Sequence, residues 1–187
     1  MKWKHIATAS LIVLLARPAV AADYVIDTRG AHASVGFRFK HLDFSWLTGR
    51  FNKFDGVFTW DPDNPGASSV EVNIDVRSID TNHAERDKHM RSANYLDTET
   101  YPTARFVSTR VEPAADGGAT VHGQLTLHGV TRDIAISASR IGEGKDPWGG
   151  YRAGFEGTVT VNTRDFGFAL PPSSRVEMFL YLEGVRR

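Results

Sequence analysis

The sequence predicts an all-β protein: a single closed antiparallel sheet of about eight strands, interrupted by one short helical insertion. Three observations carry this. Apolar and polar residues alternate through most of the chain with a period of two, the pattern of strands with one buried and one wet face. Clusters of Gly, Pro, Asn and Asp recur between these runs at hairpin spacing. Only Asn82–Phe106 replaces strand signals with helix signals for more than a few residues. Few strands are apolar on both faces, which favours one closed sheet over a stacked pair. About eight strands enclose just enough room for side chains or for one small ligand.

The chain has 187 residues, and its start reads as an export signal. Lys2 and Lys4 precede an apolar run from Ile6 to Leu15, then Pro18, then the small residues Ala19-Val20-Ala21. That order is a secretory signal peptide over residues 1–21, too short in its apolar part to span a bilayer, with the barrel domain over residues 22–187. Tyr24 to Asp27 predicts a short strand and Thr28-Arg29-Gly30 a turn. Val35, Phe37, Phe39 and His41 then share one face of a strand, so the imidazole belongs at the rim of whatever the phenylalanines line. Leu42 to Leu47 is a loop rich in aromatics. Phe51 to Trp60 is a strand whose parity is disturbed, and a bulge at Asp55-Gly56 would restore it. Two prolines and a glycine make residues 61–66 a turn.

Val70 to Arg77 is a regular alternating strand. In the insertion, Asn82 and Glu85 have the spacing of a helix N-cap and its reciprocal partner. Asp87 and Arg91 are four apart and would meet on one face. Met90, Ala93 and Leu96 form a short apolar stripe, so the helix docks on the sheet. Tyr101-Pro102 ends the insertion. Strands follow at Thr103–Val111, Ala119–Leu127 and Val130–Ser139, with His128-Gly129 as a tight connection. After a loop at Gly142–Gly150 come strands at Tyr151–Asn162 and Arg175–Glu183, separated by a turn at Pro171-Pro172.

Composition excludes several classes. Removing residues 1–21 takes away Lys2, Lys4 and Arg17 and no acid, which leaves 19 basic against 22 acidic side chains, a net charge of −3. No basic block or basic-aromatic interleaving is present, which argues against nucleic acid as a partner. No cysteine is present, so thiol catalysis, thiolate metal sites and disulfides are excluded. No later apolar run is long enough for a transmembrane helix. His32, His41, His83, His89, His122 and His128 show no metal-ligating spacing, so no metal site and no cofactor is expected. No nucleophile elbow, phosphate loop or dinucleotide fingerprint occurs, and a non-enzymatic role is expected.

Several pieces in order resemble the YceI-like family: Tyr24-Val-Ile-Asp27, Phe39-Lys-His41 running into Leu47-Thr-Gly-Arg-Phe51, Ser78-Ile-Asp80, Arg86-Asp-Lys-His89 with Arg91-Ser92, Tyr101-Pro102 with Phe106, Gly123-Gln-Leu125 and Asp165-Phe-Gly167. The resemblance covers the whole chain after the signal. It implies a lipocalin-like antiparallel barrel of eight strands with a helical insertion. It also implies a periplasmic protein that holds a polyisoprenoid or a related amphiphile, such as a quinone or fatty amide, and some members dimerise. One departure is Ser92–Leu96, where the family pattern places a phenylalanine pair.

The expected ligand-binding residues fall in two groups. Phe37, Phe39, Phe44, Trp46, Phe51, Phe54 and Phe58, with His41 at their rim, form an aromatic wall that reads either as packed core or as a tunnel for an apolar chain. Arg86, His89, Met90, Arg91 and Leu96 of the insertion read either as a solvated, docked helix or as the mouth that meets a polar head group. A lipid-acting periplasmic enzyme and a stress-linked interaction protein with a structural ligand remain the alternatives to a carrier.

Overall fold

The computed structural model describes residues 21–168 and 175–187. The expected signal peptide and the Pro171-Pro172 turn fall outside these residues. The strands are β1 (Ala22–Ile26), β2 (Ser34–His41), β3 (Ser45–Phe51), β4 (Phe54–Trp60), β5 (Ser69–Asp75), β6 (Ile79–Asp80), β7 (Thr103–Pro113), β8 (Gly118–Leu127), β9 (Val130–Lys145), β10 (Tyr151–Asn162) and β11 (Arg175–Arg186), with one helix, α1 (Ala84–Arg91). Every pairing is antiparallel, and β1 pairs with both β4 and β11. The ring β1-β4-β5-β7-β8-β9-β10-β11 therefore closes on itself as an eight-stranded barrel.

The three strands left over, β2, β3 and β6, continue members of that ring. β1 and β2 run consecutively along β11, β3 leads into β4, and β5 leads into β6. Three neighbouring strands thus break, at residues 27–33, 52–53 and 76–78. Ser78 stitches the last two breaks together. Its hydroxyl accepts from the Lys53 amide at 2.9 Å and donates to the Asp75 carbonyl at 2.6 Å, while its carbonyl accepts from the Asn52 amide at 3.1 Å. This relocates the expected bulge. Parity changes at Asn52-Lys53, which lets Phe51 and then Phe54, Gly56, Phe58 and Trp60 all face inward. Gly56 is needed for a different reason: a Cβ there would lie 2.4 Å from the Glu71 carbonyl oxygen and 2.7 Å from Ile26 Cδ1.

Other expectations change at element ends. The regular strand at Val70 stops at Asp75, because residues 76–78 turn as a 3-10 helix. The expected loop after Gly142 is partly strand, since β9 extends to Lys145. Helix α1 is capped by His83, not Asn82: the His83 Nδ1 accepts from the Arg86 amide at 3.2 Å, and Asn82 sits at φ 60. The Asp87–Arg91 pair does not form. Asp87 turns back to accept from the Thr81 amide and hydroxyl at 2.9 and 2.5 Å, and Arg91 reaches the Ile79 carbonyl at 3.4 Å. These contacts clasp the helix to β6 across one end of the barrel.

The interior is unevenly filled. Tyr24, Ile26, Val35, Phe37, Phe58, Val72, Ile74 and Val76 are buried, and Tyr24 stacks on Phe58 at 4.8 Å. On β8, β10 and β11, Leu125, Leu127, Val159, Val176, Met178, Leu180 and Leu182 face inward yet are only partly buried. Outside, Arg152 Nη1 donates to Asp27 and Glu183 at 2.6 Å each, and its Nε donates to Asp146 at 2.8 Å, tying β10, β11 and the end of β1 at the closing seam.

Arg152, the Gly30 amide and His32 hold the Asp27 carboxyl well below the usual carboxylate range. An Asp with a depressed folded-state pKa stabilises the fold above its unfolded pKa of about 3.9, and that contribution is lost as the pH falls. Arg152 likewise depresses Asp146, and Arg77 depresses Asp75. The variant Asp27→Asn is therefore expected to lower Tm at pH 7 and to show a shallower fall of Tm below about pH 5 than the parent in a calorimetric pH series. Substituting Gly56 by Ala is expected to cost about 1–3 kcal/mol in chemical denaturation, through overpacking against Ile26 and the β5 backbone.

Candidate ligand-binding cavity

The space inside the barrel is a cavity of about 620 Å³. Its wall is almost wholly apolar and takes residues from every strand of the ring except β1. Along β8 the lining runs from Ala119 to Leu127, which spans roughly 27 Å of strand at ~3.4 Å per residue. Polar lining groups gather at the ends. At the helix end these are Lys40, His41, Tyr95 and Thr163; at the far end they include Thr59, Ser68, Ser69, Arg140 and Glu156.

Pairing of rings with glycines keeps this space empty. A Cβ at Gly49 would lie 2.4 Å from the Phe37 ring, and one at Gly123 would lie 2.5 Å from the Phe106 ring. The end of each ring occupies the place of a side chain on the adjoining strand, which only glycine leaves free. In the wall toward the far end, Phe155 meets Phe58 and Trp60 edge-on at 5.5 and 5.0 Å. The Trp60 Nε1 donates to Glu143 at 2.5 Å, and Arg140 lies 3.4 Å from the same carboxylate.

Of the expected ligand-binding residues, Phe37, Phe39, His41, Phe51, Phe58, Met90 and Leu96 line the cavity. Phe44, Trp46, Phe54, Arg86, His89 and Arg91 do not. Phe44 lies just beyond a hairpin turn and is 86% exposed. Trp46 pairs with Lys40 on the outer face of the sheet, and its ring lies under the Arg38 guanidinium at 4.3 Å. Phe54 faces inward but packs into the filled part of the core. Arg86 spends its guanidinium on the Thr81 hydroxyl and carbonyl at 2.8 and 2.7 Å, and Arg91 is turned to Ile79. His89 reaches the lumen only through Tyr95, whose ring it meets edge-on at 4.5 Å. The charged helix face thus fastens the insertion, while Met90, Tyr95 and Leu96 cover the lumen.

Sequence reasoning missed the second wall, formed by Leu125, Val159, Met178, Leu180 and Leu182 among others, together with Lys40, Tyr95 and Arg140. Alternation marked those aliphatic positions as inward, and inward was equated with buried. Among the described residues, Asp27, His32 and Glu183 converge as possible metal ligands. Arg152 already engages both carboxylates, so a cation there would face a guanidinium.

The sequence matches the YceI-like domain over residues 24–183. It is 53% identical over 187 residues to a UPF0312 protein of Vibrio cholerae, covering 98% of this chain and 99% of the relative. Among solved structures, the fold is similar to that of BcnA from Burkholderia cenocepacia, with a TM-score of 0.75 at 22% identity over 84% of this chain and 98% of the other. It is also similar to a polyisoprenoid binding domain from Saccharophagus degradans, with a TM-score of 0.62 at 19% identity over 90% of this chain and all of the other. With a family match across nearly all of the described barrel and a relative this similar over its full length, the chain belongs to the YceI-like family.

Proposed function

We propose that this chain is an exported, periplasmic, non-enzymatic carrier of a long-chain amphiphilic lipid, an isoprenoid or related molecule, held with its tail in the barrel lumen. The hollow apolar lumen carries the reading. A cavity of about 620 Å³ falls in the usual range for small-molecule sites, roughly 300–1,000 Å³. The Saccharophagus domain with the same fold is named for polyisoprenoid binding. The basic, apolar and small-residue order of residues 1–21 supports export.

The energetics favour a long tail. Each buried methylene contributes about 0.8 kcal/mol. Association costs roughly 4–15 kcal/mol in lost freedom. At a cost of about 8 kcal/mol within that range, a ten-carbon tail, at about 8 kcal/mol gross, only breaks even, whereas a tail of about twenty carbons, at roughly 16 kcal/mol, reaches micromolar binding. Selectivity for length then follows from the lumen itself. The head group is assigned to the helix end, where His41 and Tyr95 offer an imidazole and a phenol at the rim. A wall with its polar groups confined to the ends suits holding a chain rather than transforming it.

Native mass spectrometry of the protein purified from its own host, followed by organic extraction, tests the proposal. One amphiphile at near-stoichiometric amount is the expected result. The variant Val121→Trp, which places an indole in the lumen, is expected to cut occupancy at least about tenfold while circular dichroism stays unchanged. Recovery of no amphiphile, combined with no uptake of an added long-chain prenyl alcohol, would overturn the carrier reading.

A further inference from the structure

The turn between β2 and β3 puts large apolar side chains in water. Leu42 is 70% exposed, Phe44 86% and Trp46 40%. They stand within five residues of one another on a convex tip at the helix end of the barrel. The backbone there is costly. Leu42 and Asp43 both adopt left-handed conformations, with φ 48 and 59, and the Phe44 amide donates to the His41 carbonyl at 2.9 Å. Such a turn prefers Asn and Gly at its two central positions. A leucine held there strains the backbone and gains no burial, so packing does not account for it.

The neck of the tip is cationic. The Lys40 ammonium lies over the Trp46 ring at 4.6 Å, and Arg38 lies over the same ring while pairing with Glu177 at 2.6 Å. From the tip downward the order is Leu42 and Phe44 on either side of the exposed Asp43, then an indole, then an ammonium. That is the layering of a protein segment seated in a phospholipid leaflet: apolar groups at the acyl boundary, Trp at the interface, Lys against the phosphates. A convex tip suits a fluid surface, whereas an aromatic anchor in a protein complex needs a matching pocket. Lys40, His41 and Leu42 also line the cavity, so the tip is one lip of its mouth.

We propose that the His41–Trp46 turn is a membrane-docking tip. It inserts Leu42 and Phe44 into the acyl boundary of a phospholipid leaflet, seats Trp46 and Lys40 at the head groups, and brings the lumen mouth against the bilayer. The use of this docking, lipid exchange between bilayer and lumen, rests on the carrier reading; the insertion itself does not. Ile141 and Trp148 are also exposed, but they sit at the far end, outside the cavity lining.

The test uses the full protein carrying Trp148→Phe, which leaves Trp46 as the large exposed indole among the described residues. It is mixed with vesicles of phosphatidylethanolamine and phosphatidylglycerol, with and without lipids brominated near the top of the acyl chain. Co-flotation, a blue shift of the indole emission and quenching by the brominated lipids are expected. Phe44→Asp is expected to weaken vesicle binding at least about tenfold, while uptake of a prenyl alcohol presented in detergent stays unchanged. Leu42→Asn is expected to weaken vesicle binding without lowering Tm, since Asn tolerates the left-handed backbone. Ile141→Ser serves as the far-end control and is expected to bind vesicles as the parent does. Absence of co-flotation in the parent, equal binding by Phe44→Asp, or Trp46 engagement only with a protein from an envelope extract would each overturn the proposal. Vesicle binding by a protein that takes up no prenyl alcohol would leave the docking tip standing and refute the carrier reading instead.

Discussion

The rest of the molecule depends on the pairing of β1 and its continuation β2 with β11. Tyr24, Val25 and Ile26 meet Arg186, Val185 and Gly184, β2 carries the ladder on from Tyr181 to Val176, and together they turn an open sheet into a tube. Without it the sheet would have two free edges and an inner face open to water. With it, a lumen exists whose wall is continuous. The seam is reinforced from outside by Arg152, which bridges Asp27, Glu183 and Asp146. A partly exposed ion pair alone would add little, but one guanidinium shared by three carboxylates on three segments also limits how far those segments move apart.

A barrel of this size is ordinarily filled by its own side chains. Here only part of it is. The Tyr24–Phe58 stack fills the space beside β1, while Val70, Val72 and Ile74 of β5 and the aliphatic residues of β8, β10 and β11 line the space that remains. Ring-over-glycine pairs such as Phe37 with Gly49 explain how a chain rich in phenylalanine avoids collapse into that space. The same buried side chains, Val35, Phe37, Val72 and Ile74 among them, thus stabilise the fold and form the wall available to a guest. With no cysteine in the chain, this packing and the hydrogen-bonded clasps at Ser78 and Thr81 must hold the barrel without a covalent tie.

Much of this was legible in the sequence. Period-two alternation located the strands from Val70 onward, and turn residues located the hairpins, because both signals are local. The insertion was recognisable as a short docked helix from Met90 and Leu96. What could not be read were the consequences of register and side. Trp46 looked like a wall residue because it is aromatic and close to Phe39, yet its parity with Lys40 puts it outside. Arg86, His89 and Arg91 looked like head-group contacts, yet Thr81 and Ile79, close in space only after folding, claim the two arginines. The change of parity at Asn52-Lys53 carries no glycine or proline to mark it; it depends on Ser78, a residue 25 positions away from Lys53.

Closure also sets an order of events. Tyr24 and Arg186 stand 162 positions apart, the difference of their residue numbers, and their ladder is the least local contact of the sheet. Every other pairing in the ring except that of β1 with β4 joins strands that follow one another in the sequence or are separated only by β6 and the helical insertion. Hairpins can therefore form as soon as their two strands are present, whereas the tube waits for the whole chain. Sheets dominated by such distant pairings fold in milliseconds to seconds, far slower than local hairpins form. During that interval the apolar lining is an exposed concave surface, so the same wall that can shelter a guest in the native state is the chain's principal aggregation hazard while it folds.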